Sequence, residues 1–123
     1  MDELLQIQKK LISIFREQIP PLKIEIETLD NFKVSGTREA MQGKQKVDGF
    51  YFGSIVLKPK DIRLYYFPIY THVKNFENIS ENLRKCLKGK SCFHIKEMDS
   101  QLENDIREMI IKGILIYQED NLI

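Results

Sequence analysis

From Phe50 to Phe67 the chain spells a β-hairpin, and few folds accommodate so long a run of strand formers. Phe50 to Lys58 is rich in aromatic and branched residues, Lys58-Pro59-Lys60-Asp61 is a turn with a preset φ at Pro59, and Ile62 to Phe67 returns. Strict alternation puts Phe50, Phe52, Ser54 and Val56 on one face and Tyr51, Gly53, Ile55 and Leu57 on the other. Across the turn, Ile62, Leu64 and Tyr66 alternate with Arg63, Tyr65 and Phe67. Both faces are apolar enough for a central sheet position, with helices over one side and partial cover on the other. Gly53 marks a bulge or a point of close approach.

Helical spacing flanks this hairpin. Leu4, Ile7, Leu11 and Ile14, widened by Leu5, Ile12 and Phe15, predict a helix over 2–18, capped by Asp2 and stopped by Pro20-Pro21. Leu22, Ile24 and Ile26 then alternate with Lys23, Glu25 and Glu27, a half-buried antiparallel strand. Phe32 and Val34 read as a short second strand after a turn at Asp30-Asn31. Residues 35–49 carry little pattern and read as a solvated loop or a ligand-contacting one, with room for a helical turn near Arg38–Gln42. Pro68 ends the ladder, and 69–79 reads as irregular.

Leu87 to Lys96 joins three elements. A helix capped by Ser80 runs to Lys88, Gly89 stops it in the left-handed conformation, and Cys92 to Ile95 alternates as a strand. Asp99 caps a last helix over 100–118. Its second half, Met109 to Tyr117, is apolar nearly all round, so Ile111 and Leu115 are either buried or part of a homodimer surface. Gly113 in its interior implies close packing against another backbone. Together these elements predict a single α+β domain over 1–123, a mainly antiparallel sheet with N- and C-terminal helices on one face.

Net charge is +1 with basic and acidic residues interspersed, which gives no footprint for nucleic acid or for a membrane surface. The opening Met-Asp-Glu has the wrong polarity for a secretory signal, and two cysteines are too few for a disulfide framework, so the expected compartment is the cytoplasm and the expected state of Cys86 and Cys92 is reduced. Two phosphate-loop look-alikes fail on spacing. Gly89-Lys90-Ser91 has Arg84 where the first glycine belongs. Gly43-Lys44 has Gly36 two residues too distant and Gln45 in place of the magnesium-binding hydroxyl. His72, His94, Cys86 and Cys92 match no zinc spacing, and no acid, base and nucleophile set is visible, so the expectation is a protein without catalytic residues.

Three runs carry a family resemblance: Gly49-Phe-Tyr-Phe-Gly-Ser-Ile55, Leu64-Tyr-Tyr-Phe-Pro-Ile-Tyr70, and Leu83-Arg-Lys-Cys-Leu-Lys-Gly-Lys-Ser-Cys-Phe93. The chain from about Gly43 to Tyr117 resembles the YdhG-like family of bacterial domains of unknown function. Some members are described as frataxin-like iron chaperones, which implies an antiparallel sheet with helices from the two chain ends on one side. Iron binding of that type implies an acidic ridge on the first helix and first strand. Here the region offers Asp2, Glu3, Glu17, Glu25, Glu27 and Asp30, diluted by Lys9, Lys10, Arg16 and Lys23, with Glu25 and Glu27 as the one same-face pair.

Two functional expectations follow. The first is a binding or interaction module with a pocket where Tyr66, Tyr70 and the Lys90-Ser91 turn meet, Lys44 above it, and Lys90 favouring an anionic ligand or a protein partner. The alternative is an intracellular iron carrier using Glu25 and Glu27.

Overall fold

The computed structural model describes residues 2–123. The side chain of Asp2, expected to cap the first helix and to join the acidic set, lies outside the described residues. Helix α1 (Asp2–Arg16) is followed by β1 (Leu22–Glu27), β2 (Asn31–Gly36), a small hairpin of β3 (Ala40–Gln42) and β4 (Gln45–Val47), then β5 (Tyr51–Leu57) and β6 (Ile62–Tyr66). A single helical turn α2 (Pro68–Thr71), a 3-10 turn (Val73–Phe76) and α3 (Glu81–Cys86) lead to β7 (Leu87–Lys88), β8 (Cys92–Ile95) and α4 (Ser100–Glu119). Six strands form one antiparallel sheet in the order β1-β2-β5-β6-β8-β7. The fold is α+β, with the N- and C-terminal helices over one face of the sheet. None of the described helices is long and apolar enough to cross a membrane.

The local signals work where expected. Ser80 Oγ accepts from Leu83 N at 3.1 Å and Asp99 Oδ1 from Leu102 N at 2.8 Å, each satisfying an orphan donor at a helix start. On β6, Ile62, Leu64 and Tyr66 are buried against the helices, and on β8 Phe93 and Ile95 are buried while Cys92 and His94 face the other way.

Two bulges overturn the strict alternation expected of β1 and β5. On β1, Ile24 pairs with Val34 but Ile26 pairs with Lys33, so Glu25 is an extra residue. On β5, Gly53 pairs with Val34 and Tyr51 with Ser35, so Phe52 is extra. The second bulge turns Phe52 to the helix side, where it packs against Phe15, Tyr66 and Tyr117, and leaves Tyr51 beside Ser54 on the open face. Next to that bulge Gly53 permits the close approach the sequence implied. A Cβ there would lie 2.6 Å from Tyr65 O and 3.1 Å from Phe15 Cζ.

Three further expectations are corrected. Residues 35–49 complete β2 and form the β3–β4 hairpin, with Ala40–Gln42 a strand and not a helical turn; Gly43, at φ 66°, opens the turn. Segment 69–79 holds α2 and the 3-10 turn. Gly89 does have a left-handed φ of 83°, but α3 ends at Cys86 and Gly89 sits in the three-residue turn between β7 and β8. Leu87 and Lys88 leave the helix early because they pair with Phe93 and Cys92.

The sheet and α4 meet at Tyr66. Its ring packs edge-on against Phe52 and Phe76 at 5.6 and 5.5 Å, and its hydroxyl donates to Met109 O. Burial, followed by the neighbouring Tyr117, pushes the Tyr66 phenol well above the ordinary tyrosine range. Burial also pushes Tyr117 up, although its hydroxyl shares a hydrogen bond with Thr71 at 2.7 Å. Gly113 makes room for Tyr66. A Cβ at 113 would fall 2.1 Å from its Oη and 2.9 Å from its Cζ, so the close packing is against a side chain and not a backbone. Gly113→Ala gains about 1 kcal/mol of helix propensity, yet is expected to lose about 1–3 kcal/mol net through overpacking. Urea denaturation of the two proteins measures the difference, and pairing Gly113→Ala with Tyr66→Phe should recover part of it.

Candidate functional site

Two concavities matter, and they lie on different parts of the molecule. The apolar one is a groove of about 640 Å³. Its walls are α2 and the 3-10 turn on one side, and α3 with the β7–β8 turn on the other. Ile69, Tyr70, Val73, Phe76 and Leu87 supply the apolar lining; Arg84, Glu77 and Lys90 supply charge. Tyr70 and Val73 are 54% and 61% exposed, unusual for an aromatic and a branched residue standing side by side. Lys90 Nζ stands 6.0 Å from the Tyr70 ring centroid, and Lys90 makes no salt bridge among the described residues. Arg84 is anchored by a 3.0 Å bond from Nη2 to Glu77 O, which braces the far wall.

The groove's α2 wall is held rigidly. Pro68 opens α2, where its missing N–H is no loss. Phe67 stacks on Tyr70 at 5.7 Å, and Thr71 Oγ1 bonds both Tyr117 Oη and His72 Nδ1. His72 Nε2 meets Asp120 Oδ2 at 2.5 Å, so a chain of polar contacts ties this turn to the end of α4. His72 carries no sequence signal for that role, because its partner is 48 residues away.

Of the residues predicted for the site, the fold brings together Tyr70 and Lys90. Tyr66 is fully buried beneath, touching the groove only through Phe76. Ser91 does not line the groove; its carbonyl accepts from Tyr66 N at 2.9 Å. Lys44 follows Gly43 in the β3–β4 turn and lines neither concavity. Sequence reasoning missed Val73 and Phe76, which a helical reading of 73–76 would have put on one wall, and Arg84 and Leu87 on the other.

The polar concavity, about 720 Å³, lies on the open sheet face beneath the β3–β4 hairpin. Lys23, Lys33, Ser35, Tyr51 and Ser54 line it from the sheet, and Gln42 and Gln45 from the hairpin. Phe50 O accepts from Gly36 N of β2, so the Tyr51 N–H of the same peptide points away from β2, and Gln42 Oε1 accepts it at 3.2 Å. That bond latches the hairpin to the sheet.

The expected Glu25 and Glu27 pair does not form. The bulge at Glu25 sends the two carboxylates to opposite faces: Glu25 lies on the open side, 3.5 Å from Lys23, and Glu27 pairs with Arg16 of α1. Each already has a cation. Among the described residues no group of three or more His, Cys, Asp or Glu side chains gathers as a metal site needs. Cys92 and His94 do share the open face, but His94 Nδ1 is directed at Asp61 Oδ2, 3.5 Å away. Burial pushes the Cys92 thiol up, and the lowering influence of Tyr65 and Arg63 does not offset it. Both cysteines are free thiols.

Ile111 and Leu115 are exposed on α4, at 40% and 59%, among Glu108, Lys112 and Glu119. Two side chains one turn apart fall well short of the roughly 800 Å² per partner of a standard interface.

Compared with known proteins, the chain matches no family model, no curated protein and no solved structure.

Replacing Gln42 by Ala removes the latch without touching the core. Hydrogen exchange at the Tyr51 amide and across β3–β4 is expected to rise about tenfold, with the thermal midpoint of the whole protein unchanged.

Proposed function

We propose that the protein is a binding module, and that the groove between α2 and the β7–β8 turn takes a small ligand with an aromatic or apolar body and an anionic end. The single observation that carries this reading is the pairing, across an apolar groove, of an exposed Tyr70 with Lys90, which makes no salt bridge among the described residues. Exposed aromatic and branched side chains lose little entropy on being covered, and a lysine that has no internal partner fixes which end of a ligand faces it. Pro68-Ile69-Tyr70 and Gly89-Lys90, which belong to the runs that resemble YdhG-like domains, supply both rims. Kinship with that family is part of the proposal. The ion-paired and separated Glu25 and Glu27 give the iron-carrier alternative no comparable support.

Anilinonaphthalene sulfonate has the required shape, a fused aromatic body with one anionic group. The protein is expected to bind one equivalent saturably under native conditions. Tyr70→Ala and Val73→Asp should each weaken binding about tenfold or more. Lys90→Glu should weaken it and Lys90→Arg should not. Binding that ignores all four substitutions would place the probe elsewhere and end this reading.

A further inference from the structure

We infer that the molecule carries a second binding site, for a phosphate group, at the opposite end of β8 from the groove. It consists of Lys58 and Lys60 of the β5–β6 turn, Arg63 of β6 and Lys96 just after β8, gathered around Asp61. These residues line a pocket of about 380 Å³ together with Pro59. Lys90 and Lys96 are six residues apart along the strand, roughly 20 Å, so the two sites are separate.

The case rests on charge, order and partners. Four cations and one carboxylate line this pocket in a chain whose net charge is +1. Antiparallel pairing creates the gathering: Ile62 pairs with Ile95, which brings the turn before β6 to the segment after β8. Gathered like charges repel, and the usual remedy is a salt bridge to each. Lys58, Lys60 and Lys96 have none among the described residues. Lys58, Lys60 and Arg63 are neighbours in the sequence, and the pairing of β6 with β8 adds Lys96.

Asp61 gives the pocket its order. It is 6% exposed, a burial rare for a carboxylate without partners. Its Oδ1 accepts from Arg63 Nε at 3.3 Å, and its Oδ2 lies 3.5 Å from His94 Nδ1. One Arg63 N–H is thus directed at the carboxylate and another at the Tyr65 hydroxyl, which leaves part of the guanidinium's five-donor fork for a further acceptor. A guanidinium held by Asp61 and flanked by exposed ammonium groups matches a phosphate's three acceptor oxygens better than a single carboxylate, which one such cation would satisfy. The turn backbone is also set, by Pro59 and by Lys58 N donating to Asp61 O at 3.0 Å. The chemistry recognised is a phosphomonoester or pyrophosphate group, whether on a soluble molecule or on a lipid.

The test is a titration with inorganic pyrophosphate at constant ionic strength, followed by amide chemical shifts. Saturable shifts confined to 58–63 and 96 are expected, with chloride at matched ionic strength giving none. Lys60→Ala and Lys96→Ala should each weaken binding about tenfold; both positions are exposed, so folding is not at stake. Arg63→Lys should weaken it too while keeping the charge, and Lys90→Glu should leave it unchanged, which separates this site from the groove. A parallel arm floats the protein with phosphatidylcholine vesicles with and without phosphatidic acid. Flotation that needs phosphatidic acid and is lost in Lys60→Ala and Lys96→Ala assigns the phosphate to a lipid; saturable pyrophosphate binding without flotation assigns it to a soluble molecule. Linear shifts that chloride reproduces, with no flotation, would overturn the site.

Discussion

Tyr66 is the joint on which the rest of the molecule turns. It sits in β6, a central strand, yet its hydroxyl reaches α4 at Met109 and its ring meets Phe76 of the 3-10 turn. A phenol that is buried must find an acceptor, and a helix carbonyl supplies one only if the helix can come close. Gly113 allows that approach by leaving the volume of the Tyr66 hydroxyl empty. Sheet, last helix and groove wall are therefore fixed relative to one another by one side chain. Tyr66 was a candidate ligand contact on sequence grounds. Its actual part is to hold Phe76, which does line the groove, in place.

The two bulges are the second constraint. Each inserts one residue, and each reverses the facing of the side chains beyond it. The bulge at Glu25 separates Glu25 from Glu27 and moves Ile26 onto the open face, where it lines the polar concavity. The bulge at Phe52 adds an aromatic ring to the core. The separation of the two carboxylates and the aromatic Phe52 in the core thus have a common cause in strand register.

What could be read from the sequence was local. Ser80 and Asp99 announce helix starts because a cap is defined within four residues. The β5–β6 hairpin, the helix stripes and the left-handed φ at Gly89 are also short-range facts. What could not be read depends on partners far along the chain. Leu87-Lys88 is too short to show a period, so Gly89 looks like a helix stop until β8 pairs with it. The β3–β4 strands are three residues each and show no apolar/polar alternation long enough to read, and only Gly43-Lys44 between them is a turn signal. Bulge positions follow from the neighbouring strand. Of the candidate site, Tyr70 and Lys90 were legible as exposed types in adjacent segments, whereas Arg84 and Leu87 join them only through the fold, just as Lys96 joins Lys58, Lys60 and Arg63 only through the pairing of β6 with β8.

The two proposed sites lie at the two ends of β8, and both use lysines that make no salt bridge among the described residues. The central claim is that the groove beside Tyr70 is where this protein meets its ligand. The most direct measurement is a nuclear magnetic resonance screen of small aromatic carboxylates against the uniformly labelled protein, mapping every shifted amide onto the structure. The account predicts that hits converge on residues 69–77 and 84–90. Hits that converge beneath the β3–β4 hairpin, or that scatter over the surface, would contradict it.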